Sequence, residues 1–261
     1  MITPCQCALR GLDPRDLDPA VVLLDVREHA PRVDLAALPI AGRDGSRLTR
    51  RRVDSLSVSL DFELHETAPD RRKHLCRALA RWAMPGGFLT LGDRPGQRLR
   101  VTCDAPPVIP SALGWTQPVT VTLTAHDAPW WEDEQPVAAR LTAAAGTASL
   151  RPAGDLPTPL EASLLCAGDA PVDTVTLACP GGRIRLTGLA LAPGETLTLD
   201  HDDRALIRLT LSGADGERSV LPLRDPASDD ELWLSPQSSN EIAFTADGAV
   251  RAVFSARGRW L

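Results

Sequence analysis

The chain has 261 residues, 43% of them apolar and 24% charged, with a formal net charge of −6. That apolar content supports a packed core and excludes wholesale disorder, while the acidic balance disfavours non-specific nucleic-acid binding, which needs a basic field. No stretch approaches 18 apolar residues, so no membrane insertion is expected, and the length suits one large sandwich or two domains of roughly 100–150 residues.

In chain order, the first 39 residues offer one expected strand, VVLLDV at 21–26. A basic run follows, with Arg43, Arg47, Arg50, Arg51 and Arg52 against Asp44. It reads either as a docking surface or channel lining, or as a solvated loop before a strand. From Leu56 to Leu64 apolar and polar residues alternate strictly, the period of a half-buried strand. The same pattern recurs at Leu99, Val101 and Cys103, and from Val119 to Ala125.

Between these strands the spacing predicts one helix at about 68–84. Thr67 is its expected N-cap and Pro69 falls in its first turn. Leu75, Leu79, Trp82 and Ala83 form an apolar stripe. Arg71, Arg72, Lys73, Arg77 and Arg81 occupy the remaining surface, expected to be solvated or to meet acids of a neighbouring subunit. Met84-Pro85-Gly86-Gly87 stops the helix, and FLTL and RLRV around GDRPGQ predict a hairpin.

The acidic, proline-marked segment PWWEDEQP suggests a boundary, giving domains 1–135 and 136–261. Beyond it come short strands at 160–167, 173–179, 182–188, 195–200, 205–211, 240–246 and 249–256, separated by turn signals that include Asp247-Gly248. This is the texture of an antiparallel sandwich or jelly roll without a fixed repeat. The expected fold class is therefore mainly β: a barrel-like N-terminal domain with one amphipathic helix, then a β-sandwich.

Chemistry-bearing motifs are few. No G-x-S-x-G, P-loop or H-E-x-x-H occurs, so no catalytic residue, metal or cofactor is assigned. His201-Asp202-Asp203 reads as a polar turn, and Cys5-Gln6-Cys7 is too close for a zinc knuckle. The six cysteines follow no apolar leader, so free thiols are expected, Cys103 and Cys179 among them as small buried residues. Trp130 and Trp131 suggest packing at an interdomain hinge. Trp233 and Trp260 are candidates for a sugar-stacking platform.

Taken in order, GRDGSRLTRRRVDSLSVSLDFEL, the helix running into ALARWAMPGGFLTLGDRPGQRLRV, and VTLTAHDAPWWED resemble the N-terminal domain of the distal tail proteins of long-tailed bacteriophages. GRIRLTGLALAPGETLTLD, LWLSPQSSNEIAF and AVFSARGRWL resemble that family's galectin-like C-terminal sandwich. The resemblance implies a non-enzymatic virion protein at the tail tip, assembled in the bacterial cytoplasm. It would form a hexameric ring with itself, joining the tail tube protein to tail-associated and receptor-binding proteins. The arginines named above would then be subunit-interface candidates. The alternative is a carbohydrate-binding module contacting cell-surface glycans.

Overall fold

All five apolar residues of the 56–64 alternation, Leu56, Val58, Leu60, Phe62 and Leu64, are buried. They belong to a computed structural model that describes residues 6–31, 33–39, 44, 46–105, 107, 118–201, 207–214 and 216–261. The chain divides into two compact units, Met1–Trp131 with Leu261, and Glu132–Trp260.

The first unit contains β1 (Cys7–Leu9), α1 (Pro14–Leu17), β2 (Val21–His29), β3 (Val33–Pro39), β4 (Ser46–Val53), β5 (Leu56–Leu64), α2 (Pro69–Ala83), β6 (Gly87–Leu91), β7 (Gln97–Ala105) and β8 (Val119–Ala125), and β9 (Trp131–Asp133) begins where it ends. Six strands form an antiparallel sheet in the order β1-β6-β7-β8-β5-β2. Leu75, Cys76, Leu79, Trp82 and Ala83 are buried along one side of α2. Phe62 of β5 meets Trp82 edge-to-face, with ring centroids 6.0 Å apart, a favoured aromatic geometry.

The start of α2 differs from expectation. Its N-cap is Ala68, which has no capping side chain. The carboxylate of Glu66 instead accepts the N–H groups of Thr67 (2.8 Å) and Ala68 (3.0 Å). At the other end Arg10 donates to the carbonyls of Trp82 (2.9 Å) and Gly86, taking up free acceptors where the helix dipole is negative. Gly86 has φ +62°, and a Cβ there would lie 2.5 Å from the Val101 carbonyl oxygen, so glycine is required by both conformation and space.

The second unit contains β10 (Val137–Leu150), β11 (Thr158–Pro159), β12 (Glu161–Cys166), β13 (Val172–Cys179), β14 (Gly182–Leu191), β15 (Thr196–His201), β16 (Ile207–Gly213), β17 (Gly216–Ser219), β18 (Trp233–Leu234), β19 (Asn240–Ala256) and β20 (Arg259–Trp260). Its main sheet runs β14-β13-β19-β12-β15-β16-β17, with β10 also paired to β19. The first half of β19 pairs with β13 and the second half with β12, while β10 follows it along both halves. The sheet thus folds into two layers that share one strand. Val175, Leu177 and Ile184 of one layer meet Leu164, Leu197 and Leu209 of the other around a void of about 10 Å³.

Three expectations are corrected in this unit and its neighbour. Asp247-Gly248 does not separate two strands; it is a corner inside β19. There the Asp247 carboxylate accepts the N–H groups of Asp173 (3.0 Å) and Thr174 (3.2 Å) and so anchors β13. Cys103 and Cys179 are half-buried rather than buried, each with its Sγ near a backbone carbonyl. Cys76, Cys103, Cys166 and Cys179 are free thiols, Cys7 is buried, and Cys5 lies outside the described residues.

Asn240, 1% exposed, fastens the start of β19. Its Oδ1 accepts Ser235 N–H (2.8 Å) and its Nδ2 donates to the carbonyls of Ser235 and Ser238 (2.9 Å each) and Leu150 (3.3 Å). Removing that amide strands buried backbone groups. Asn240→Ala is therefore expected to lower unfolding free energy by about 2–4 kcal/mol, read as a shift in urea midpoint at unchanged slope. A loss below about 0.5 kcal/mol, typical of a surface change, contradicts the anchoring role.

Candidate assembly surfaces

The β3–β4 hairpin pairs with no other described strand and forms a two-stranded sheet of its own. Its register runs from Val33 opposite Val53 to Pro39 opposite Ser46, with an irregularity at Ala36/Ala37. Thr49 Oγ1 donates to the Ala36 carbonyl at that point (3.0 Å). Leu35, Leu38 and Leu48 are 59%, 61% and 53% exposed. A lone two-stranded hairpin is marginally stable in water, and by register Leu35 and Leu48 share one face while Leu38 lies on the other, so both faces carry exposed apolar side chains.

The basic run largely belongs to this hairpin, so its second half is strand rather than loop. Arg47 is exposed in β4 opposite Leu38, and Arg50, Arg51 and Arg52 occupy β4 opposite Ala36, Leu35 and Asp34. Arg43 lies outside the described residues.

The helix arginines part company. Arg71 is exposed and bridges Glu66 (2.8 Å) and Asp18 (3.3 Å). The Glu66 carboxyl is held below its ordinary value first by the Ala68 and Thr67 N–H groups. Asp18 is lowered chiefly by the Ala20 N–H, with Arg71 assisting. Arg72 is only 4% exposed, and its Nε has no acceptor. This contradicts the reading of Arg72 as part of an exposed, solvated or subunit-facing helix surface. The sequence carried a signal for it: Arg72 stands three and four residues before Leu75 and Cys76, on the buried stripe.

The tryptophans are engaged within their own units. Trp131 is fully buried, donating Nε1–H to Glu28 (3.0 Å) beneath the Arg94 guanidinium at 5.0 Å, and Arg94 pairs with Glu28 (2.9 Å). Trp130 is half-buried, its backbone N–H donating to the Ala128 carbonyl (2.8 Å). Trp260 donates Nε1–H to Asp133 (2.9 Å). Trp233 is 36% exposed with the Arg259 guanidinium 5.6 Å from its ring centroid. Each of these two rings is thus engaged by a side chain of its own unit.

Arg259 is 7% exposed and lies in the field of Glu132, Glu231 and Glu161. Burial pushes its guanidinium down, and the three carboxylates oppose that shift. Burial pushes Glu161 up, against Arg257 and a hydrogen bond from Ser255 Oγ (3.3 Å). Among the described residues no group of three His, Cys, Asp or Glu side chains is arranged to hold a metal ion.

No protein-family model and no curated protein matches this sequence. The likeness is in the fold. The crystal structure of the phage SPP1 Dit protein, described as a paradigm of the hub adsorption apparatus in phages infecting Gram-positive bacteria, aligns with a TM-score of 0.69 and 16% identity, over 98% of this chain and 99% of that one. A chain of the phage p2 baseplate in its activated conformation with strontium aligns at 0.51 and 8% identity, over 97% of each chain. The calcium form aligns at 0.52 and 8% identity, over 99% of this chain and 98% of that one. The chain has the fold of these hub and baseplate proteins, in both of its units.

Glu161 yields a pH prediction. Its folded value lies above the ordinary 4.5, so the folded state binds the proton more tightly than the unfolded state. Its contribution is fully present below the ordinary value and is lost as pH rises through the raised one. Glu161→Gln is therefore expected to flatten the decline in urea midpoint as pH rises above the ordinary 4.5. An unchanged slope contradicts the assignment.

Proposed function

We propose that this chain is a structural protein of a long-tailed phage virion: a tail-tip hub that closes into a ring between the tail tube and the proteins that recognise the host. The observation that carries this reading is the fold likeness to the SPP1 hub protein along 98% of this chain and 99% of that one. In this reading the first unit forms the ring. The partners are other copies of this chain, the tube protein and tail-associated or receptor-binding proteins, and the place is the virion tail tip.

The hairpin supplies a physical route to closure. A cyclic assembly uses a heterologous contact, in which one surface of each copy meets a different surface of the next. The β3–β4 hairpin has apolar side chains open to solvent and carries arginines in β4. Seating it on a neighbour would bury its leucines, worth roughly 25 cal/mol per Å² of apolar area. The arginines would set register and orientation through complementary charge. The hub role is mechanical and requires no catalysis.

Light scattering behind size exclusion tests this directly. The wild-type chain is expected to give a species near six times 28.0 kDa. The Leu35→Asp/Leu38→Asp/Leu48→Asp variant is expected to run as a monomer with unchanged far-ultraviolet circular dichroism. A wild-type chain that stays monomeric at all concentrations, or a variant that assembles like wild type, contradicts the proposal.

A further inference from the structure

The sandwich unit has a second exposed surface. β14 is the end strand of its sheet, yet its backbone edge is closed. Asp225 N–H donates to the Arg185 carbonyl (2.8 Å) and Asp229 N–H to the Arg183 carbonyl (2.8 Å). The N–H groups of Arg185 and Arg183 donate in turn to Ser228 Oγ (2.9 Å) and Asp229 Oδ2 (2.7 Å). The segment 225–229 thus caps the edge in the manner of a short extra strand, and strand addition is blocked there. What remains open is the outer face.

On that face alternation sends Ile184 and Leu186 into the core and leaves Arg183 and Arg185 exposed. Among the described residues no carboxylate forms an ion pair with either guanidinium. Arg208 and Arg224 of the same unit are paired, with Asp200 (2.6 Å) and Asp230 (3.0 Å). The two free guanidiniums border an open cleft of about 190 Å³ walled by Asp225, Ala227 and Ser228. The Asp225 carboxylate is engaged locally by the Ala227 N–H (2.8 Å).

Register defines the surface beside them. One row runs from Arg185 across Thr176 and Thr245 to Ala145, and the next from Arg183 across Ala178 and Ala243 to Thr147. Short side chains make a low shelf, with no aromatic ring in either row. The cleft is smaller than the roughly 300–1,000 Å³ typical of small-molecule pockets. A flat, cationic-rimmed face of this kind fits a protein segment better than a sugar. Arginines two apart on a strand are spaced about 7 Å, the repeat of alternate side chains on an extended peptide.

We propose that the outer face of the β14–β13–β19–β10 layer, rimmed by Arg183 and Arg185, docks an extended acidic segment of a partner protein, carboxylates at alternate positions meeting the two guanidiniums. This goes beyond the hub reading and stands whether or not the chain forms rings.

The probe is a fluorescein-labelled peptide of alternating Glu and Thr, titrated with the full chain at low salt and followed by anisotropy. Binding is expected, weakening as salt rises, and falling at least about fivefold in Arg183→Glu/Arg185→Glu. Both positions are exposed, so the urea midpoint of the double variant is expected to match wild type. A peptide of the same composition with its glutamates in one block is expected to bind less well. Equal binding by wild type and double variant, or no binding by either, overturns the proposal. Preference for a poly(glycerol phosphate) chain over the peptide also overturns it, and would make the shelf a contact for an anionic surface polymer.

Discussion

The sandwich unit hangs on one strand. β19 pairs with β10 along both of its halves on one side, and with β13 and then β12 on the other. One strand serves both layers because it bends at Asp247-Gly248. That bend is stabilised where it occurs: the Asp247 carboxylate takes two N–H groups at the start of β13, and β10 answers with its own irregularity between Ala143 and Ala145. Asn240 then fastens the beginning of the strand. The core between the layers follows from these constraints, since Phe244 and Phe254, one on each side of the corner, are both buried and their rings lie 6.2 Å apart.

The first unit obeys a different constraint. Its sheet and α2 bury their apolar faces within the unit, with Trp82 and Phe62 at the contact. The hairpin does not. Its leucines stand in solvent, and its two strands have only each other. A fold that buries the apolar alternation of β5 and β8 and leaves this hairpin open is consistent with the assembly proposed above. Arg72, largely out of water with an unsatisfied Nε, is a second tension in the same unit. We have no physical account of it, since a buried donor left without a partner normally costs about 1–3 kcal/mol.

Much of this was legible in the amino-acid order, and the failures have specific causes. β5, β8 and α2 were visible because period two and period 3.6 are strong signals. The mainly β class followed, as did most strands of the sandwich. β10 was missed because VAARLTAAAGTASL has little intrinsic strand preference; its pairing with β19 imposes the conformation. Asp247-Gly248 carried a hairpin-turn signature, but the strands on its two sides have different partners and therefore continue through it. The arginine-rich stretch gave no period, and only the pairing with β3 identifies β4 as a strand. Among the candidate residues, charge and aromatic type located surfaces to inspect. They could not tell exposed Arg71 from buried Arg72, nor foresee that Arg259 lies over Trp233.

Electron microscopy of the purified chain is the most direct test of the central claim. The account predicts closed particles with a central opening. Fields of isolated particles at every concentration, with no closed ring, would contradict it.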